Sequence, residues 1–173
     1  EIPEGMDAAL AALTEPAATA IHAVNLAERA LARPISEARA LVIGGGSVGL
    51  FAALTLAHRG VTRLTLADTN LLRKQSAEKT GVAEIINPID HPAADSSFDL
   101  VIDAVGGNAS RQASVSSVVP GGVIMHIGLM DNNDGLDIRR ITLQEITFIG
   151  TYTYTPVDLR NTLKQLHSEA LGK

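Results

Sequence analysis

The chain has 173 residues and no cysteine, so neither a disulfide nor a cysteine-ligated metal can form within it. Aromatic residues make up only 3%, against a hydrophobic content of 46%. Its core must therefore be built from Ala, Val, Ile and Leu, the material of a parallel sheet covered by helices. There is no basic block, and the net charge of −5 argues against a nucleic-acid surface. No apolar run approaches the roughly 18 residues that would span a membrane. No charged-then-apolar leader opens the chain. These absences point to a soluble protein, with the cytoplasm as the expected location. The length suits one domain with a full core. The first residue is Glu1 rather than Met, and the expectation is a fragment of a longer protein.

Apolar runs alternate with helical patterns along most of the chain. Strands are expected at 40–44, 63–68, 84–87, 98–103, 123–127 and 146–152. Helices are expected at 17–32, 47–59, 70–80, 108–118 and 156–170, with a short helical turn over 6–13. Thr14-Glu15-Pro16 is read as an interruption and Pro120-Gly121-Gly122 as a turn, while 141–145 is ambiguous. Asn70 is a candidate cap for the helix that follows, and Gly81 its stop. Strand–helix alternation with right-handed crossovers predicts a Rossmann α/β fold: a doubly wound six-stranded parallel sheet, order 3-2-1-4-5-6, with helices on both faces.

Gly44-Gly45-Gly46-Ser47-Val48-Gly49 sits between the first expected strand and its helix. This is G-x-G-x-x-G in the context that gives it meaning: strand, tight turn, helix, strand, acid. The acid is Asp68, 19 residues beyond Gly49. Gly44 allows the sharp turn, Gly46 lets a pyrophosphate approach the backbone, and Gly49 lets the helix pack closely. The helix start at Ser47 and Val48 offers free N–H groups and the positive dipole end to phosphates. Asp68 would accept from the adenosine ribose hydroxyls. A 2′-phosphate there would meet a carboxylate, so NAD is favoured over NADP. The alternative is a glycine-rich turn with no ligand.

Thr14-Glu15-Pro16-Ala17-Ala18-Thr19-Ala20-Ile21-His22-Ala23-Val24, followed by Ala40-Leu41-Val42-Ile43 and the glycine run, resembles the cofactor half of a medium-chain dehydrogenase/reductase. The resemblance continues through Asp99 to Gly106, Pro120-Gly121-Gly122, Ile127-Gly128-Leu129 and Ile149-Gly150-Thr151-Tyr152, and so covers nearly the whole chain. It is nearest to the zinc-dependent polyol, sorbitol-like, dehydrogenases. It implies that residues 1–173 are the cofactor domain of a larger enzyme, whose catalytic domain and C-terminal tail lie outside this chain. The implied reaction is hydride transfer between a secondary alcohol and NAD. The implied cofactors are NAD and a catalytic zinc, and the implied substrate a small alcohol or polyol.

The resemblance also assigns residues. Glu15 matches a carboxylate at the catalytic zinc, directly or through water; alternatively it caps the helix that follows. Thr19, one helical turn later, matches a residue touching the nicotinamide, unless its hydroxyl bonds its own helix. Arg73 matches a basic residue over the adenosine, or is a solvated surface arginine. Ala104, Val105 and Gly106 match the turn along the adenine and ribose. Ile127, Leu129, Thr151 and Thr153 match strand ends whose backbone holds the carboxamide, or are simply strand ends. Thr153 departs from the sorbitol dehydrogenase pattern, where an arginine tends to stand, which puts sorbitol itself in doubt. His22 is expected to be packed or hydrogen-bonded, and Asp99 and Asp103 to be turn and cap residues. The other histidines show no metal spacing. Family members commonly dimerise or form tetramers through the last strand, here 146–152 with Phe148 and Ile149 near its middle. Two alternatives remain: a zinc-free, NADPH-dependent quinone-reductase-like enzyme, and a non-catalytic NAD-binding regulatory module.

Overall fold

The computed structural model describes residues 2–171. Its spine is six parallel strands: β1 (Arg39–Ile43), β2 (Arg63–Ala67), β3 (Glu84–Ile86), β4 (Phe98–Asp103), β5 (Val118–His126) and β6 (Thr147–Gly150). Their order is β3-β2-β1-β4-β5-β6, the predicted doubly wound arrangement. Seven helices flank it: α1 (Ala8–Ala12), α2 (Thr14–Ala30), α3 (Ser47–His58), α4 (Leu71–Thr80), α5 (Asn108–Ser117), α6 (Ile138–Leu143) and α7 (Pro156–His167).

Alternation along each strand sorts the core into two layers. Ala40, Val42, Leu66, Leu100 and Ile102 pack with Val24 of α2, Leu56 of α3 and Ala77 of α4. Leu41, Ile43, Val101 and Ile124 face the opposite side, where Val115 of α5 and Ile141 of α6 cover them. A third cluster joins Ala17 and Ile21 of α2 to Leu166 of α7 and Phe51 of α3. With so few aromatics, small side chains carry this packing: Ala17, Ala18, Ala20, Ala23 and Ala27 of α2 are all fully buried. A helix with such a face can lie close against its neighbours.

Several boundaries differ from the sequence-based expectation. Helix α2 begins at Thr14, so Thr14-Glu15-Pro16 is its first turn rather than a break. A proline is tolerated there because its missing N–H would have no intrahelical partner. The Pro120–Gly122 turn lies inside β5: Phe98 pairs with Val118, the register shifts, and Leu100 pairs with Val123. The intervening residues bulge away, and the Gly121 amide finds the carbonyl of Gln144. The ambiguous stretch 141–145 holds the end of α6, which begins earlier, at Ile138, started by Asp137, whose carboxylate accepts from the Arg140 amide. Strand β6 is shorter than expected. The Thr151 amide still reaches the His126 carbonyl, but Thr153 then turns the chain at φ +51°. Helix α4 matches expectation: Asn70 accepts from the amides of Leu72 and Arg73, and Gly81 ends the helix at φ +66°.

Candidate cofactor site

The carboxyl ends of β1, β2 and β4 meet at the switch in strand order, where α/β sheets place ligands. Gly44 leaves β1 at φ +100°, and its amide bonds the Ala67 carbonyl of β2 at 2.8 Å. That backbone conformation is open chiefly to glycine. A β-carbon on Gly49 would lie 1.8 Å from the Gly44 carbonyl oxygen, so α3 sits directly on the turn. A β-carbon on Gly46 would meet nothing within 4 Å. No side chain caps α3, which leaves its first-turn amides facing that open space. Gly44 thus makes the sharp turn, Gly49 the close helix packing and Gly46 an open backbone, with Ser47 exposed and Val48 half-buried at the helix start.

Asp68 follows β2 and is only 6% exposed. Its Oδ2 accepts from the Gly45 amide and its Oδ1 from the Asn70 amide, both at 2.6 Å. These bonds tie the acid to the glycine turn. Each oxygen keeps a lone pair for another donor. Arg73 Nη1 lies 3.8 Å from Oδ2 while its side chain remains 59% exposed, a cation standing over the acid. Asp68 and Arg73 face a cleft of about 370 Å³ whose other walls include Ile43, Val105, Ile89, Ala113 and Met130. An apolar slot with an acid at one end suits a purine on its ribose.

The floor continues along the ends of β4 and β5. Asp103 is fully buried. Its Oδ1 accepts from the amides of Val105 and Gly106, and its Oδ2 from Ser110 Oγ, with His126 Nδ1 at 3.1 Å. All its acceptor positions are taken, so Asp103 organises the turn Ala104-Val105-Gly106. Asp99 differs from the expected cap. It lies near the start of β4 and accepts from the Arg39 amide and guanidinium, with Arg33 at 3.6 Å. Burial works to raise its pKa, but the bonds from Arg39 and the charge of Arg33 outweigh that and hold it below the usual carboxylate value. The turns after β4 and β5 interlock: a β-carbon on Gly106 would lie 1.9 Å from the Gly128 carbonyl oxygen. Ile127 donates its amide to the Asp103 carbonyl, while Leu129 stands 79% exposed at the rim. At the end of β6, the Thr151 hydroxyl is buried with no partner among the described residues, as are those of Thr14, Ser117 and Thr162. Thr153 follows in the strained left-handed region.

Glu15 and Thr19 are set apart from this cleft. Glu15 lies exposed in the first turn of α2, in a depression shared with Thr14, Tyr154, Leu159 and Leu163. It makes no capping bond: α2 has no side-chain cap. Thr19 donates its hydroxyl to the Glu15 carbonyl at 3.3 Å, the local alternative. Its half-buried place on the helix is kept. Among the described residues no group of three His, Cys, Asp or Glu side chains converges as a metal site. His22 is hydrogen-bonded as expected, 2.9 Å from Asp158 of α7.

The sequence profile of the family described as "Zinc-binding dehydrogenase" matches residues 47–169, well over half of the chain. The chain belongs to that family. Among curated relatives of this chain, sorbitol dehydrogenase from Bacillus subtilis is 30% identical over 162 residues, covering 88% of this chain and 44% of that protein. L-threonine 3-dehydrogenase from Streptomyces avermitilis is 28% identical over 159 residues, covering 87% of this chain and 44% of the relative. The chain therefore spans less than half the length of these relatives. Among solved structures, acetophenone reductase from Geotrichum candidum in complex with NAD superposes with a TM-score of 0.88 at 23% identity, over 99% of this chain and 49% of that one. At that identity the likeness establishes the shared Rossmann fold.

Sequence reasoning missed Arg111, Ser110, Asp131 and the cleft walls Ile89 and Met130. Arg111 stood out only as the one charge in a helix of small residues.

Proposed function

We propose that residues 1–173 form the cofactor-binding domain of a zinc-dependent alcohol or polyol dehydrogenase that passes hydride between a secondary alcohol and NAD. The observation that carries this reading is buried Asp68, fixed beside an open glycine turn at the switch point. The first-turn amides of α3 would hold the pyrophosphate, with Gly44, Gly46 and Gly49 shaping the turn. Asp68 would accept from the adenosine ribose, Arg73 would lie over it, and Ala104, Val105 and Gly106 would flank it. Backbone groups at Ile127, Leu129, Thr151 and Thr153 would hold the carboxamide and fix which ring face meets the substrate.

Glu15 is assigned as one donor toward a catalytic zinc whose remaining ligands lie outside this chain, with Thr19 beside the nicotinamide. Bound zinc would polarise the substrate oxygen. The names of the sorbitol and threonine dehydrogenase relatives support a small hydroxylated substrate. The zinc-free, NADPH-dependent alternative is disfavoured by Asp68, because its carboxylate would repel a 2′-phosphate. Calorimetric titration of the chain with NAD and NADP tests the cofactor half. NAD should bind more tightly, and equal or stronger NADP binding overturns the role given to Asp68.

A further inference from the structure

Arg111 of α5 is a buried cation inside an oxygen cage. It is 6% exposed. All three guanidinium nitrogens donate. Nη1 bonds the Gly106 carbonyl at 2.8 Å and the Asp131 carbonyl at 3.3 Å. Nη2 bonds Asp131 Oδ1 at 2.5 Å and the carbonyls of Asn133 and Asp134 at 2.6 and 2.8 Å. Nε bonds the Asp134 carbonyl at 3.0 Å. One side chain thus grips the turn after β4 and the whole loop after β5.

That loop matters because of what it carries. Its first residues continue the backbone pairing beyond the strands: Met130 donates to the Val105 carbonyl and Asp131 to the Gly106 carbonyl. Met130 forms a wall of the Asp68 cleft. Leu129 lines a second depression, of about 490 Å³, that also contains Arg111 and His126. The loop is therefore the partition between the two hollows. Asp131 closes the arrangement from the other side, with Oδ2 on the Asn108 amide at the start of α5. Bonding to Arg111, then to the Asn133 amide, holds the Asp131 carboxylate below its usual pKa.

We propose that Arg111 is a positioning residue for the dinucleotide: its guanidinium fixes the 128–135 loop so that Met130 and the Gly106 turn form the rigid rim of the nucleoside cleft. It touches no ligand itself. Its acceptors are mostly backbone carbonyls converging from separate segments, which a planar fork with five donors can satisfy and an ammonium cannot. The inference rests on the cofactor reading above.

The test pairs dinucleotide calorimetry with hydrogen–deuterium exchange on the whole chain. Arg111→Ala should weaken NAD binding by about tenfold or more, because the rim must then be ordered at the moment of binding. In the absence of NAD its amides over 129–135 should exchange about tenfold faster, while those of β1 and α3 do not change. Millimolar guanidinium should restore much of the affinity, and sodium chloride at equal ionic strength should not. Arg111→Lys should recover little. Asp131→Asn leaves the guanidinium in place and should give a smaller loss, about threefold; it decides the matter if Arg111→Ala does not fold. Faster exchange with unchanged affinity overturns the positioning role, as does either variant binding NAD like the parent. A parent chain that binds neither NAD nor NADP overturns the cofactor reading, and this inference with it.

Discussion

The carboxylate of Asp68 accepts from the amides of Gly45 and Asn70 and lines the cleft. Asp68→Asn should therefore lose on two counts. NAD affinity should fall by about tenfold with the preference over NADP narrowed, read by calorimetry, and stability should drop by about 1–2 kcal/mol, read by urea unfolding. Two of the glycines separate shape from binding. Gly49→Ala drives a methyl into the Gly44 carbonyl and should destabilise by about 2 kcal/mol or more. The β-carbon of Gly46→Ala meets no protein atom within 4 Å, so the fold should stand while the methyl crowds the pyrophosphate and NAD binding weakens. Thr153→Gly should raise stability by about 1 kcal/mol, measured by calorimetric melting, because it removes a β-branched residue from φ +51°. The glycines and Asp68 were legible because the chemistry demands those residue types at that spacing. Arg111 was not, because its partners are mostly carbonyls, which every residue owns. Asp68's hold on the glycine turn was hidden for a similar reason: an amide acceptor leaves no mark in composition.

Elements announced themselves where local chemistry decided them. Asn70 and Gly81 bracket α4 by a cap and a left-handed stop that act within a few residues. The Pro120–Gly122 bulge was misread because a local turn signal competes with strand pairing that only neighbouring β4 supplies. Helix α6 is six residues long, too short for a periodic pattern, and depends on its Asp137 start. Long-range pairing also fixes the base of the sheet, where Asp99 joins β4 to Arg39 of β1 at 2.9 Å. Its pKa lies below the usual 3.8 despite burial, because Arg39 and Arg33 outweigh desolvation. Stability from that shift is fully present above the unfolded value and is lost as pH falls through the lower folded one. Asp99→Asn should cost about 1–2 kcal/mol at neutral pH, moderated by the partly exposed arginines. The gap from the parent should shrink as pH drops below 3.8, as urea unfolding at the two pH values would report. An unchanged gap would place the effect in packing instead.

At the scale of the molecule, strand order followed from alternation, since parallel strands need crossovers and crossovers have one hand. What the sequence left open was which turns lie against each other, because that is decided by the twist of the assembled sheet. Of the two edge strands, β3 and β6, the latter is paired only with β5. Phe148 and Ile149 are half-buried in opposite cores, so the edge offers main chain rather than apolar side chains. Two copies joined along β6 would continue the sheet. Light scattering of the protein should give a dimer or tetramer that a proline at Thr147 disrupts; a strict monomer would contradict this. The backbone contact between Gly106 and Gly128 bears on engineering. Where two peptide planes touch there is no room for a side chain, so the seam beside the cleft, between the turns after β4 and β5, is fixed. Altering which nucleotide is accepted would then be done from the walls that carry side chains, at Asp68, Arg73, Ile89 and Met130.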